Sequence, residues 1–321
     1  MDLPEDAISK IFVETRRVKT AIQRLTWLKG PDGYEKDYCL AAGILGPPRT
    51  GKTRIAKHFK AICEKGRPAT AVPPIVYVEV TSGCSPKSVS TDVLAQLGDP
   101  NPDYGTLAEK CNRAEDAIRR HSVELIMLDE VHRLVDTDTR KVKRDVATWF
   151  TDLLNRRACP MAFLGETSAE RIFEHNDYAD GRTLGVVYVT PYDWGNQEDR
   201  KEFREIMQAI DANLGMPEQS GLHEVATALR IYNFGRGLLG QCTRLIKVAR
   251  MLARDQSRPC LTHDIFADTV DALRIGVARN LPNPFRLTNP APLPSASMHA
   301  EEEAPAEVKE KPKAKPGKKA V

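Results

Sequence analysis

Gly46-Pro47-Pro48-Arg49-Thr50-Gly51-Lys52-Thr53 has the spacing G-x-x-x-x-G-K-[ST] of a phosphate-binding loop. The apolar run before it, residues 39–45, reads as a buried parallel strand. Residues 54–62 after it are apolar at helical spacing. Strand, glycine loop and helix are the context this motif requires. Gly46 and Gly51 let the backbone curl, so that N–H groups along the loop, those of Arg49 and Thr50 among them, turn inward around an anion, with Pro47 and Pro48 shaping the bend. The helix starting near Gly51 adds the positive end of its dipole. Lys52 supplies a mobile charge for the β- and γ-phosphates, and the Thr53 hydroxyl is placed to ligate Mg²⁺.

A second stretch, Val123 to His132, is an apolar strand that ends in two acids, Asp129 and Glu130. This is the pattern of a Walker B element. Asp129 at the strand tip would hold Mg²⁺, directly or through water, and Glu130 would polarise the water that attacks a γ-phosphate. The two motifs together point to ATP and Mg²⁺ as cofactors. His132 reads first as a packed or solvated side chain, and second as a link from this loop to a neighbour.

The remaining chain repeats the alternation of strand and helix. A helix is expected over 4–29, then a turn over 30–36. Strands are expected at 75–80, 161–165 and 186–189, and helices near 85–97, 106–121, 140–155 and 169–174. Glu166, Thr167 and Ser168 fall at the tip of the 161–165 strand. The reading is an α/β sandwich with a largely parallel sheet, whose carboxyl edge gathers both motifs and the 166–168 tip. After Pro191-Tyr192-Asp193-Trp194 only helices and turns follow, near 198–214, 221–232, 237–256 and 262–278, as in a small all-helical lid. The chain thus divides into an N-terminal helical segment (1–33), a P-loop domain (34–193), a helical lid (194–281) and a Pro/Lys/Glu-rich tail (282–321). The tail is expected to be disordered from about residue 288, because such a composition buries too little apolar surface to offset its ordering entropy. It reads as a solubilising tether, with loose DNA binding by its terminal lysines as the second reading.

Composition bounds the function classes. The chain has 321 residues, 41% hydrophobic and 28% charged, with a formal net charge of +3, enough for one large domain and a smaller one. That charge permits nucleic-acid binding without arguing for it. Seven cysteines, an odd number and none at C-x-x-C spacing, argue against a disulfide framework or zinc site and fit a reducing cytoplasm. No apolar run is long enough for a membrane span, and the acidic N-terminus has no signal-peptide character, so no membrane partner is expected.

Most of residues 1–278 resembles the TniB/TnsC family of AAA+ transposition ATPases. The resemblance is carried by GPPRTGKT at 46–53, LIMLDEVHRL at 125–134, FLGETSAERIF at 163–173, TPYDWGNQEDRKEFREIMQAIDANLGMP at 190–217 and NFGRGLLGQCTRLIKVARMLA at 233–253. The lid segments are the ones that point to this family. The resemblance implies a P-loop AAA+ sandwich followed by the lid. It implies ATP-dependent homo-oligomers, rings or helical filaments, on duplex DNA. Implied partners are a DDE-type transposase and a TniQ-like target-selection protein, with hydrolysis driving disassembly. It also implies an arginine that reaches a neighbour's γ-phosphate: Arg182 is the first candidate and Arg171 the alternative. For the second sensor the candidates are Arg244 and Arg236. At the first sensor Glu166 stands where the family pattern has a small polar residue, and Thr167 is the candidate. Lys87, Lys110 and Arg113 lie in the region that faces DNA in the family. Two rivals remain: a nucleotide-gated scaffold with negligible hydrolysis, and an AAA+ motor from replication initiation or secretion.

Overall fold

The structure, a computed structural model, describes residues 11–30, 40–67, 72–135, 159–174, 183–276 and 280–298. Among these, five strands form one parallel sheet: β1 (Ala41–Leu45), β2 (Ile75–Glu79), β3 (Leu125–Asp129), β4 (Met161–Gly165) and β5 (Thr183–Tyr188). Their spatial order is β2-β3-β4-β1-β5. In β1, β3 and β4 every residue is buried, as a parallel sheet covered on both faces demands. The register pairs Leu45 with Gly165, and Leu128 with Phe163. The P-loop strand and the Walker B strand therefore flank the same neighbour, and all three tips open on one edge.

One face of the sheet is covered by α1 (Arg16–Lys29) and α2 (Lys52–Glu64), through Ala21, Leu25, Ile55 and Phe59. The other face is covered by α3 (Pro86–Gln96) and α4 (Leu107–His121), through Val89, Leu94, Ala114 and Ile118. Both of these helices start at reciprocal caps: Ser85 with Ser88 and Thr106 with Glu109 satisfy N–H groups at each start. Two short helices, α5 (His132–Val135) and α6 (Arg171–Glu174), follow the tips of β3 and β4; a 3-10 turn, Thr167–Glu170, precedes α6.

Beyond β5 come α7 (Gln197–Ala212), α8 (Val225–Gly235), α9 (Leu239–Asp255) and α10 (His263–Leu273). They enclose their own core around Phe203, Met207, Leu245, Ile246 and Phe266. Trp194 packs against both Phe203 and Tyr232, with ring centroids 6.1 and 5.4 Å apart, and anchors the link from β5 to this helical unit. Among the described residues no helix is long and apolar enough to cross a membrane.

Two sequence expectations are corrected here. The helix that ends at Lys29 begins at Arg16: Thr15 is its extended N-cap (φ −73°, ψ 168°) and residues 11–15 are not helical, so the helix expected over 4–29 is not continuous, and its part before residue 11 lies outside the described residues. Apolar Ile11, Phe12 and Val13 pack across to other elements, and Phe12 stacks on His58 with centroids 3.5 Å apart. The segment expected to lack structure from about residue 288 holds its place through residue 298. Upstream, Phe285 is buried and stacks on Phe266 at 4.8 Å. Downstream, polar side chains of α8 bind its backbone. A reading that counts only apolar burial does not register that kind of anchorage. The expected helix near 140–155 lies outside the described residues, as do 299–321.

Candidate active site

The loop after β1 is shaped by two glycines for different reasons. A Cβ on Gly46 would sit 2.3 Å from the Val189 carbonyl, so only glycine lets this turn pass so close to the β5 exit. Gly51 has φ 106° and precedes the first turn of α2, a conformation L residues avoid. Arg49 also takes a left-handed backbone, φ 67°. The Gly46 N–H donates to the Gly165 carbonyl at 3.1 Å, which ties the loop's start to the tip of β4. Thr50 Oγ1 donates to the Pro47 carbonyl at 2.9 Å and braces the loop internally. Lys52 is buried, with Nζ 2.8 Å from both the Gly46 and Pro47 carbonyls. Burial lowers its pKa below the ordinary lysine value, against the opposing charges of Glu130, Asp129 and Glu166. A buried ammonium held by two loop carbonyls, facing three acids, suits the phosphate-and-metal assembly the loop spacing implies.

Asp129 is wholly buried at the end of β3. Its Oδ2 accepts from the Tyr77 hydroxyl at 2.7 Å and its Oδ1 accepts the Glu130 N–H at 2.8 Å, so the carboxylate is fixed in orientation. Burial, then the charge of Asp129, raises the Tyr77 pKa and keeps that hydroxyl a donor. Glu130 has φ 58°, a left-handed conformation that costs a non-glycine residue energy and is found where function demands it. Its Oε2 lies 3.3 Å from Arg133 and 3.6 Å from His132 Nε2. Arg133 also donates to the Val80 carbonyl at 2.8 Å, just past β2. His132 is buried, and its Nδ1 accepts the Glu166 N–H at 3.3 Å. Its Nε2 therefore carries the proton and faces Glu130 on one side and Glu166, at 3.5 Å, on the other. The second reading of His132 is the one the geometry favours: it joins the tips of β3 and β4. Gly165 has no side chain there because a Cβ would lie 3.3 Å from the His132 ring nitrogen.

Above the loop a cavity of about 590 Å³ runs between the sheet edge and the helical unit. Its lining combines the charged and polar side chains of Arg49, Lys52, Thr53 and Glu130 with the apolar ones of Ile11, Val13, Val189, Ile206 and Ile210. Such a mixed lining suits a ligand with both an apolar ring and a charged group. Arg17, which belongs to neither motif, also lines the cavity. Its guanidinium stacks over Tyr192 at 4.3 Å and pairs with buried Asp199 at 2.5 Å, joining α1 to the start of α7. Burial alone would raise the Asp199 pKa. The Arg17 hydrogen bond, the Asp193 N–H and the charges of Arg17 and Arg16 outweigh it and hold the carboxyl below its ordinary value.

The other expected site residues divide. Thr167 is buried at the tip of β4, and its hydroxyl donates to the Met298 carbonyl at 3.1 Å. Arg244 is exposed and does not line the cavity; Lys247, three residues on, does. The cavity face of α9 is Leu239, Thr243 and Lys247, an i, i+4, i+8 stripe that leaves Arg244 one step around the helix. That stripe is the signal that would have selected Lys247. Arg236, in the bend between α8 and α9, donates to the Pro294 carbonyl at 3.2 Å. Arg171 is exposed at the start of α6, and Arg182 lies outside the described residues. Of the three residues expected at DNA, Lys87 is exposed. Arg113 is partly buried, 3.5 Å from Asp99 and bonded to the Tyr104 carbonyl. Lys110 is corrected: it is 1% exposed and donates to Thr91 and the Pro102 carbonyl, so its ammonium serves the α3–α4 packing and cannot meet a phosphate backbone.

The profile described as bacterial TniB protein matches residues 7–182. A search of curated proteins found no match. Among solved structures, Cdc6p from Pyrobaculum aerophilum is similar at a TM-score of 0.63 and 16% identity, covering 86% of this chain and 72% of that one. The Aeropyrum pernix ORC2 protein, titled as ADPNP-ADP complexes, is similar at 0.56 and 16% identity, covering 83% and 71%. The Aeropyrum pernix ORC1 protein in complex with DNA is similar at 0.59 and 16% identity, covering 84% and 69%. These likenesses show a P-loop AAA+ fold.

Proposed function

This chain belongs to the bacterial TniB family, and we propose that it is an ATP-hydrolysing regulator of DNA transposition that assembles on duplex DNA in the cytoplasm. The observation that carries the reading is the meeting of Lys52, Asp129 and Glu130 at one sheet edge, beside a cavity lined by both charged and apolar side chains. The loop N–H groups and Lys52 bind the phosphates of ATP, and apolar lining residues take the base. Thr53 and Asp129 are the residues that would hold Mg²⁺, which when bound neutralises charge developing on the phosphates. Glu130 orients the attacking water and accepts its proton. Lys247 and Arg17 face the same cavity from the helical lid and from α1, so lid position and nucleotide are read together.

We assign to Arg182 of a neighbouring copy the role of the arginine that reaches the γ-phosphate and stabilises its developing charge. Hydrolysis then depends on assembly into a ring or filament, and its completion releases the DNA. Lys87 and Arg113 supply phosphate contacts on the α3–α4 side. A DDE-type transposase and a TniQ-like selector are the partners that such an assembly would link. One observation favours the slower scaffold as second reading: Glu130 is already engaged by Arg133 and His132 within the isolated chain.

The test is binding to a labelled, sequence-neutral duplex at fixed salt, without nucleotide and with ADP, ATP or a slowly hydrolysed analogue. Cooperative binding confined to ATP and the analogue is the expected result. DNA affinity that never responds to bound nucleotide would refute the transposition reading while leaving the P-loop intact. Single-turnover hydrolysis on DNA separates the regulator from the scaffold.

A further inference from the structure

Residues 287–298 run along the helical unit in an extended path and end at the sheet edge. Arg230 donates to the Leu287 and Thr288 carbonyls at 3.1 and 2.9 Å. Asn233 grips the next stretch on both sides: its Nδ2 donates to the Ala291 carbonyl and its Oδ1 accepts the Leu293 N–H, each at 2.9 Å. The Tyr232 hydroxyl donates to the Leu293 carbonyl at 3.2 Å. Arg236 donates to the Pro294 carbonyl, and its own carbonyl accepts the Ala296 N–H at 2.9 Å. The last contact is Thr167 Oγ1 to the Met298 carbonyl, at the tip of β4.

Three features of this path bear on its role. First, it is held through its backbone, while the side chains of 291–294 are exposed. That contrasts with the buried anchor just upstream, where Asn283 and Phe285 lock the chain to α10. A segment held by hydrogen bonds with little apolar burial lets go at low cost. Second, Pro290, Pro292 and Pro294 alternate with Ala291 and Leu293, the two residues that Asn233 holds. Proline presets an extended backbone and lacks an N–H, and Leu293 between two of them keeps the N–H that Asn233 accepts. The segment is thus stiffened for this groove before it docks. Third, its carbonyl oxygens occupy Thr167 and Arg236, two polar donors singled out for sensing nucleotide. One stiff segment ties the helical unit to the β4 tip.

We infer that residues 287–298 are an internal latch: they fill a groove on α8 built for an extended proline-containing backbone, lock the helical unit to the sheet, and hold Thr167 until assembly on ATP and DNA releases them. The inference rests on the ATPase reading. The upstream anchor at Phe285 stays in place, and only the hydrogen-bonded stretch peels away. Once that stretch releases, the Met298 carbonyl no longer holds the Thr167 hydroxyl, and the helical unit moves independently of the β4 tip.

The test uses the full-length chain. L293P/A296P removes two N–H donors from the latch, and N233A removes the two bonds that Asn233 makes to it. Hydrogen exchange over 287–298 should accelerate at least about tenfold in both variants, with β1 and β3 unchanged. ATP turnover without DNA should rise about fivefold or more. In the wild type, the ATP analogue plus DNA should accelerate exchange over the same residues. The latch is overturned if either variant frees the segment without changing turnover, or if neither changes its exchange. A wild-type chain that binds no ATP would overturn the ATPase reading itself, a failure separable from that of the latch by nucleotide titration alone.

Discussion

Gly240, at the start of α9, rests directly on the phosphate loop, and replacing it by alanine gives a sharp test of how the helical unit and the loop are coupled. Its N–H donates to the Arg49 carbonyl at 2.8 Å. A Cβ there would lie 2.8 Å from the Arg49 Cβ, 3.0 Å from its carbonyl oxygen and 3.2 Å from its Cα. Carbon atoms in good contact sit about 3.5–4.0 Å apart, so the added methyl is roughly 1 Å too close. Arg49 cannot readily yield, because its backbone is already left-handed. The first turn of α9 has to lift off the loop, and overpacking of this kind costs about 1–3 kcal/mol. That same turn brings Leu239 and Thr243 to the cavity, with Lys247 one turn on. If about 2 kcal/mol of the cost falls on the nucleotide-bound form, ATP affinity drops about 30-fold, since 1.4 kcal/mol is a factor of ten. The assay is fluorescence titration of a labelled ATP analogue into G240A, beside G195A as a control. A Cβ on Gly195 meets nothing closer than 3.4 Å, so that variant should bind normally. An unchanged affinity in G240A, with a lowered melting temperature, would refute coupling through this contact and leave only a packing defect.

Other outcomes follow from the same geometry. E130Q keeps the shape of the β3 tip and removes the proton acceptor, so ATP binding should persist while turnover falls on the order of 10²–10⁴-fold, read by single-turnover hydrolysis. H132F keeps the ring volume but loses the acceptor for the Glu166 N–H and the proton facing Glu130. Turnover should fall on the order of 10²-fold through misplacement of Glu130, with the KM for ATP little changed. D199N leaves Arg17 with Glu202, at 3.6 Å, as its remaining counter-charge, and denaturant unfolding at pH 7 should show a loss smaller than the about 3–5 kcal/mol of a wholly uncompensated buried charge. The Asp199 pKa is depressed in the folded protein, so its stabilisation is present above the unfolded carboxylate value of about 4 and is lost as the pH falls below it. Wild-type and D199N stabilities should therefore converge on acidification below about pH 4 and diverge above it.

The features legible in the sequence are those fixed by short spacing. The loop at 46–53 and the Asp129-Glu130 pair each depend on residues adjacent in the chain, and the sheet sets them on one edge through β4 between them. Strand and helix order followed from apolar runs and periodicity, because the three central strands β1, β3 and β4 are buried throughout. What was not legible depends on partners far away in sequence. Lys110 and Lys87 look alike as charges, yet one is sealed by Thr91 and Pro102 and the other faces out. Arg17 acquires its place from Asp199, 182 positions later. Thr167 meets Met298 across 131 positions, and no local pattern announces it. The latch escaped for a further reason. Its composition argues against burial, correctly, since its side chains are exposed; what holds it is a set of donors on α8 whose spacing, at 230, 232, 233 and 236, serves a backbone and not another side chain. The same donors give the protein a contact that is specific and cheap to break. If Arg182 of a neighbour completes the site, as proposed above, control over when the site forms is most economically placed there, at the joint between helical unit and sheet edge.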